Sequence, residues 1–169
     1  KLARTLIAQG LKGAALIEAL NAAISRHLRL NASAEKLPGR DNRVDLDPVL
    51  IAAAEQDHPG PLWLVADLSE LDLGALGVEA GFDVVVCAGN VMGFLDPATR
   101  RRVLERLAAT LAADGRLVTG FGSGGDYSFE EFFADVEGAG LSVDVRLSTW
   151  DLRPFTPDSD FLVAVLSKR

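Results

Sequence analysis

"FDVVVCAGNVMGFLD", residues 82–96, decides how the rest of the chain reads. From Phe82 to Gly89 the run is almost wholly apolar and rich in β-branched valine. Such a run suits a central parallel strand with both faces covered, because a half-solvated strand would alternate apolar and polar residues. A parallel neighbour needs a crossover, so helices are expected on either side.

The flanking sequence supplies them. Downstream, the spacing predicts a helix over 97–113, with Asp96 as N-cap, Pro97 just inside, a buried stripe of Val103, Leu104, Leu107, Ala108 and Leu111, and Gly115 as the stop. "RLVTGF" (116–121) is the next strand, and Ser128 with Glu131 forms a capping box for a helix to about Glu137. Two further strands, 141–150 and 160–168, are joined by "DLRPFTPDS". That link is too short for a parallel crossover, so the pair is expected as an antiparallel hairpin ending a mostly parallel sheet. Upstream, "LWLVAD" (62–67) reads as a strand, and Asp47 and Pro48 open a helix over 48–57. Residues 1–30 carry Leu6, Leu16, Leu20, Ile24 and Leu28 at helical spacings, split by Gly10 and Gly13, and a polar, turn-like segment follows from Asn31 to Arg43. The expected organisation is a helical cover over 1–36 and an α/β domain over 37–169.

Bulk properties narrow the function. The chain has 169 residues, 49% hydrophobic, and a formal net charge of -7. Its acidity counts against nucleic acid as a partner. A lone cysteine, Cys87, builds neither a disulfide nor a thiolate metal site and fits a reducing, cytoplasmic setting. No run of eighteen apolar residues reads as a membrane span, and no signal-peptide pattern opens the sequence. With only His27 and His58 as histidines, no metal site is expected.

The succession "VDLDP", "LVADLSELDL", "FDVVVCAGNVMGFLD" and "GRLVTGFG", closed by the strand pair, resembles the second to seventh strands of the class I, Rossmann-like methyltransferases that use S-adenosylmethionine. The resemblance covers roughly residues 44–169. It implies a three-layer sandwich with a reversed last strand and S-adenosylmethionine as cofactor. It assigns the ribose hydroxyls to Asp45, because a carboxylate offers several acceptor sites to adjacent donors. Leu46 would lie against adenine, Asp67 would accept from the adenine amino group, and Leu68 would supply an apolar wall and a backbone donor. Ala88, Gly89 and Asn90 would run beside the methionine part. Met92, Phe94, Tyr127 and Trp150 are candidate substrate contacts, each with ordinary packing as its plain alternative. Asn90 is followed by Val91, unlike the Asn-Pro-Pro-aromatic motif of relatives that methylate bases or amides.

One family feature is not found. No glycine-rich loop of the form GxGxG precedes Asp45, and the first strand with most of the second reads as missing. A break in the backbone between Asp41 and Asp45 is therefore expected. "GFGSGGD" (120–126) follows the fifth strand and reads as a substrate-side loop instead. The expected activity is methyl transfer to a small molecule, with no general base identified and a homodimer as one option for its assembly. A sheet that has lost its cofactor and serves as an interaction domain is the alternative, and a nicotinamide-dependent oxidoreductase is a weaker one.

Overall fold

The computed structural model describes residues 27–31 and 41–169. Seven strands form one sheet in the order β3-β2-β1-β4-β5-β7-β6. The elements are β1 (His27–Asn31), β2 (Asp41–Asp45), α1 (Pro48–Asp57), β3 (Leu62–Val65), β4 (Phe82–Ala88), α2 (Arg100–Thr110), β5 (Leu111–Gly122), α3 (Phe129–Gly138), β6 (Leu141–Leu147) and β7 (Phe161–Lys168). Single 3-10 turns at Leu68–Glu70 and Val91–Phe94 follow β3 and β4.

The "VVVC" strand stands where its composition demands. β4 pairs in parallel with β1 on one side and β5 on the other. Val85 and Cys87 are fully buried on the face that α2 and α3 cover. The expected terminal hairpin forms: β7 runs antiparallel to both β5 and β6. β6 is therefore parallel to the first five strands, and β7 alone is reversed.

The N-terminal part departs from expectation. Residues 27–31, read as the end of a helix, form β1 at the centre of the sheet. The strand that the sequence reading takes as missing is thus present, and Asp41–Asp45 is one continuous strand rather than the site of a break. Short apolar runs are ambiguous in period: Leu28 and Leu30 alternate like a strand, while Leu20, Ile24 and Leu28 repeat like a helix. The remainder of the proposed 1–36 cover lies outside the described residues. β2 has one buried aliphatic residue, Val44, and stacks the buried Arg43 guanidinium 4.9 Å from the Trp63 ring centre on β3. Such a strand is held by ladder bonds to its neighbours, not by its own propensity.

Two helix boundaries also shift. α1 matches, with Asp47 accepting from the amides of Val49 (2.8 Å) and Leu50 (3.4 Å). α2 begins at Arg100, not Pro97, because Asp96 caps a separate turn by accepting from the Ala98 amide at 2.8 Å. It ends at Thr110, whose hydroxyl donates to the Leu107 carbonyl. Gly115 stops no helix. It lies within β5, where an added Cβ would stand 2.5 Å from the Phe82 carbonyl oxygen, so the glycine permits the strands to close after an irregular stretch of register. α3 carries the full capping box between Ser128 and Glu131. Those bonds from Ser128 hold the Glu131 carboxyl below its usual range.

Between the sheet and α2 and α3 the core is aromatic. Phe121 is fully buried and meets Tyr127, Phe129 and Phe132 at 5.7, 5.4 and 5.1 Å between ring centres. Burying one such ring contributes about 1.5–3 kcal/mol.

Burial pushes the Cys87 thiol up to about 12. The neutral thiol is therefore favoured in the fold. That contribution is whole below the ordinary thiol range and fades as pH rises toward 12. A disulfide reagent such as Ellman's is expected to find no thiol at pH 8 in the folded protein and one per chain in guanidinium, since Cys87 is the only cysteine. Rapid native labelling would contradict this placement.

Candidate functional site

Because β1 to β5 run in parallel, the loops after β2, β3, β4 and β5 emerge at one end of the sheet, and ligands of open α/β sheets bind at that end. The loop after β6 joins them, since β6 shares their direction.

Asp45 closes β2 and is half-buried. Its Oδ1 accepts from the Asp47 amide at 2.9 Å, which fixes the carboxylate and leaves Oδ2 for a ligand. Leu46 beside it is 66% exposed, a free apolar surface next to a fixed acid. Asp45 pairs with Val65 across the β2–β3 ladder, and its carbonyl accepts from the Ala66 amide at 3.0 Å. Asp67 therefore follows at the carboxyl end of the neighbouring strand. It caps the turn after β3, accepting from the Ser69 amide at 2.7 Å. Leu68 packs half-buried against the core.

After β4, Gly89 and Asn90 take left-handed backbone conformations, with φ of 76° and 63°. Glycine does so freely, and asparagine is among the few other residues that tolerate it. The Asn90 Oδ1 accepts from the Gly122 amide at 2.9 Å, which ties the β4 loop to the end of β5. Asn90 is thus a brace between two strand ends, a role with no local signal in the sequence. Ala88 is half-buried and Gly89 exposed just below it.

The proposed substrate contacts separate. Phe94 is 78% exposed and Trp150 38% exposed, both at this end. Met92 and Tyr127 are not available to a substrate: Met92 is fully buried, and Tyr127 is 1% exposed. The Tyr127 ring stacks on Phe121, and its hydroxyl donates to Asp135 Oδ2 at 2.7 Å. Burial, reinforced by that bond, pushes its phenol far above the ordinary range. Arg100, at the start of α2, is buried with its guanidinium 4.2 Å from the Tyr127 ring centre, while Arg101 and Arg102 stay exposed. Helical spacing sets Arg100 on the same stripe as the buried Val103, Leu104 and Leu107, so its inward turn over Tyr127 follows from the helical period.

Among the described residues, no histidine lies at this end. His58 caps the end of α1 ahead of β3, and His27 opens β1, so both stand at the amino ends of strands, away from the loops described. No group of three or more potential metal ligands occurs among the described residues. No helix among them is long and apolar enough to cross a membrane. The connection from β1 to β2, residues 32–40, holds Gly39 as its single glycine, and it is shorter than the dozen or so residues usual for a parallel crossover.

The family model described as "CheR methyltransferase, SAM binding domain" matches residues 66–125, a span that includes Asp67, Ala88, Gly89 and Asn90. The crystal structure of a TehB-like SAM-dependent methyltransferase from Corynebacterium glutamicum is 35% identical, with a TM-score of 0.79 over 99% of this chain and 87% of that one. A S-adenosylmethionine-dependent methyltransferase from Clostridium acetobutylicum shares the fold at 9% identity, with a TM-score of 0.72 over 90% and 88% of the two chains. So does 1,6-didemethyltoxoflavin-N1-methyltransferase from Burkholderia thailandensis, at 19% identity and a TM-score of 0.65 over 91% and 75%. No curated protein matches the chain.

Tyr127 as a core residue gives a measurable expectation. Tyr127→Phe removes the donor to Asp135 and should lower unfolding stability by about 1–2 kcal/mol. Affinity for S-adenosylhomocysteine, measured by calorimetry at a temperature where the variant is folded, should stay within about twofold of the parent. A large loss of affinity at unchanged stability would restore Tyr127 to the pocket.

Proposed function

The chain belongs to the S-adenosylmethionine-dependent methyltransferases, and from that premise we propose that it methylates a small molecule. The observation that carries the site assignment is the pair Asp45 and Asp67 at the carboxyl ends of adjacent parallel strands, linked by the Ala66–Asp45 backbone bond. S-adenosylmethionine supplies the methyl on a sulfonium, which leaves as a neutral thioether, so no metal is required for the transfer.

In this reading Asp45 receives the two ribose hydroxyls on Oδ2, with Oδ1 already held by its own loop. Leu46 offers its exposed side chain to the adenine face. Asp67 accepts from the adenine amino group through the oxygen not used on Ser69, and Leu68 supplies the wall and the backbone donor beside it. Ala88, Gly89 and Asn90 border the methionine part, where the left-handed turn keeps Cβ atoms out of the way at Gly89. The residues fit a nucleoside with a hydrogen-bonding ribose and an apolar base face. Their fixed carboxylates mean that little ordering is lost on binding. Catalysis then rests on holding the acceptor in line and excluding water, rather than on a proton-transferring side chain.

A small acceptor is supported by charge. A net charge of -7 disfavours a polyanionic substrate, and Asn90-Val91 is not the motif of relatives acting on bases.

Calorimetry with S-adenosylhomocysteine on the full chain should give a Kd in the micromolar range, about -8 kcal/mol. Asp45→Ala should weaken it by at least tenfold, because a hydrogen bond to a charged group is worth about 1.5–3 kcal/mol. Asp45→Asn, which keeps one acceptor, should lie between. Binding unchanged in Asp45→Ala would remove Asp45 from the site. No binding by the folded parent would favour the interaction-domain alternative.

A further inference from the structure

We propose that Trp150 contacts the methyl acceptor and that Gly120 makes this possible, selecting a planar, aromatic or heteroaromatic molecule that is not an anion. The proposal rests on the methyltransferase reading and assigns the substrate class of that same site.

Trp150 lies in the loop after β6, at the sheet end where β2 to β5 also finish. Its indole rests directly on β5. An added Cβ on Gly120 would stand 2.5 Å from Trp150 Cζ2, 3.0 Å from Cε2 and 3.3 Å from Phe161 Cε1. Any side chain at position 120 would therefore displace the ring. Gly122, two residues on and on the same face, has Phe161 and Asn90 around it, with Phe161 Cδ2 3.7 Å and Asn90 Oδ1 4.0 Å from where its Cβ would stand. Two glycines on one face of a strand end thus form a flat seat, with Trp150 over Gly120 and Phe161 beside Gly122. The Trp150 ring is 38% exposed, although burying it would release far more apolar surface from water.

The turn that presents Trp150 is built at some cost. Leu152 takes φ +71°, a left-handed conformation that is unfavourable for a branched side chain. The turn is held by Ser148 and Leu152 amides donating to the Arg153 and Thr149 carbonyls, at 2.8 and 3.1 Å. The Arg153–Asp151 pair adds to it at 3.2 Å. A strained turn at a strand end, rigidly presenting a half-exposed indole, is the arrangement expected of a stacking platform for a flat ligand. Phe94, 78% exposed, lies on the β4 loop that the Asn90–Gly122 bond ties to the end of β5. Beyond the paired Asp151 and Arg153, the loops at this end carry Asp126, Asp158 and Asp160, all exposed, which disfavours an anionic acceptor.

The two tryptophans, Trp63 and Trp150, allow a direct test. The full chain labelled with 5-fluorotryptophan should show two fluorine resonances, assigned with Trp63→Phe. Quinoline, added with and without saturating S-adenosylhomocysteine, should shift the Trp150 resonance saturably and leave that of Trp63 in place. Cyclohexanol and naphthalene-2-sulfonate at equal concentration should leave both unmoved. By calorimetry, Trp150→Leu should weaken quinoline at least tenfold while S-adenosylhomocysteine binds within twofold of the parent. Gly120→Ala, which retains the indole but displaces it, should move the Trp150 resonance before any ligand is added and weaken quinoline similarly. A Trp150 resonance indifferent to quinoline in both states overturns the proposal, as does equal quinoline affinity in Trp150→Leu. Failure to bind S-adenosylhomocysteine is a separate outcome: it removes the cofactor reading, while the quinoline arm still reports on Trp150.

Discussion

Parallel pairing of β4 between β1 and β5 is the constraint on which the remaining architecture depends. Once Val85 and Cys87 are sealed in the core with α2 and α3, a slip of one residue would turn both to the opposite face. The neighbours inherit that direction. Loops separated by many residues in the chain then emerge together, so Asp45, Asp67, Asn90, Gly122 and Trp150 reach one end of the sheet without any sequence proximity.

At that end, polar groups first bind the protein itself. Asp45 spends an oxygen on Asp47, Asp67 on Ser69, and Asn90 on Gly122. Each bond removes rotamer freedom before a ligand arrives, so the unused acceptor of each carboxylate is already aimed. The left-handed residues Asn90 and Leu152 both lie in loops at the carboxyl end of the sheet. Backbone strain tends to be kept where a loop must hold a particular shape, and both loops lie at the end of the sheet where ligands of open α/β folds bind.

Buried polarity does a different task between α2 and α3. Arg100 lies over Tyr127, whose hydroxyl donates to Asp135. The three groups join the start of one helix to the middle of the other through an aromatic core. They explain why a tyrosine near a strand end, a position that invites assignment to a pocket, serves packing instead. The same holds for Met92: its one-turn helix tucks it inward, while Phe94, two residues later, is left outside.

How much of this was legible follows from the range of each interaction. The apolar run of β4, the caps at Asp47 and Ser128, and the short link between the last two strands are local signals, and they set the fold class, two helix starts and the reversed strand. The motif order likewise set Asp45 and Asp67 at the ends of neighbouring parallel strands, where the structure has them. β1 was not legible, because a short segment with two leucines fits either period, and its strand form comes from ladder bonds to β2 and β4. Nor could the sequence say which way Met92 and Tyr127 turn, since side-chain direction in a loop is decided by what packs there. Gly120 makes the contrast plain. In sequence it is one glycine in "GFGSGG", while in the fold its missing Cβ is the space that Trp150, 30 residues downstream, occupies. Local chemistry chose the elements; contacts between distant parts of the chain chose which of their side chains remain for a ligand.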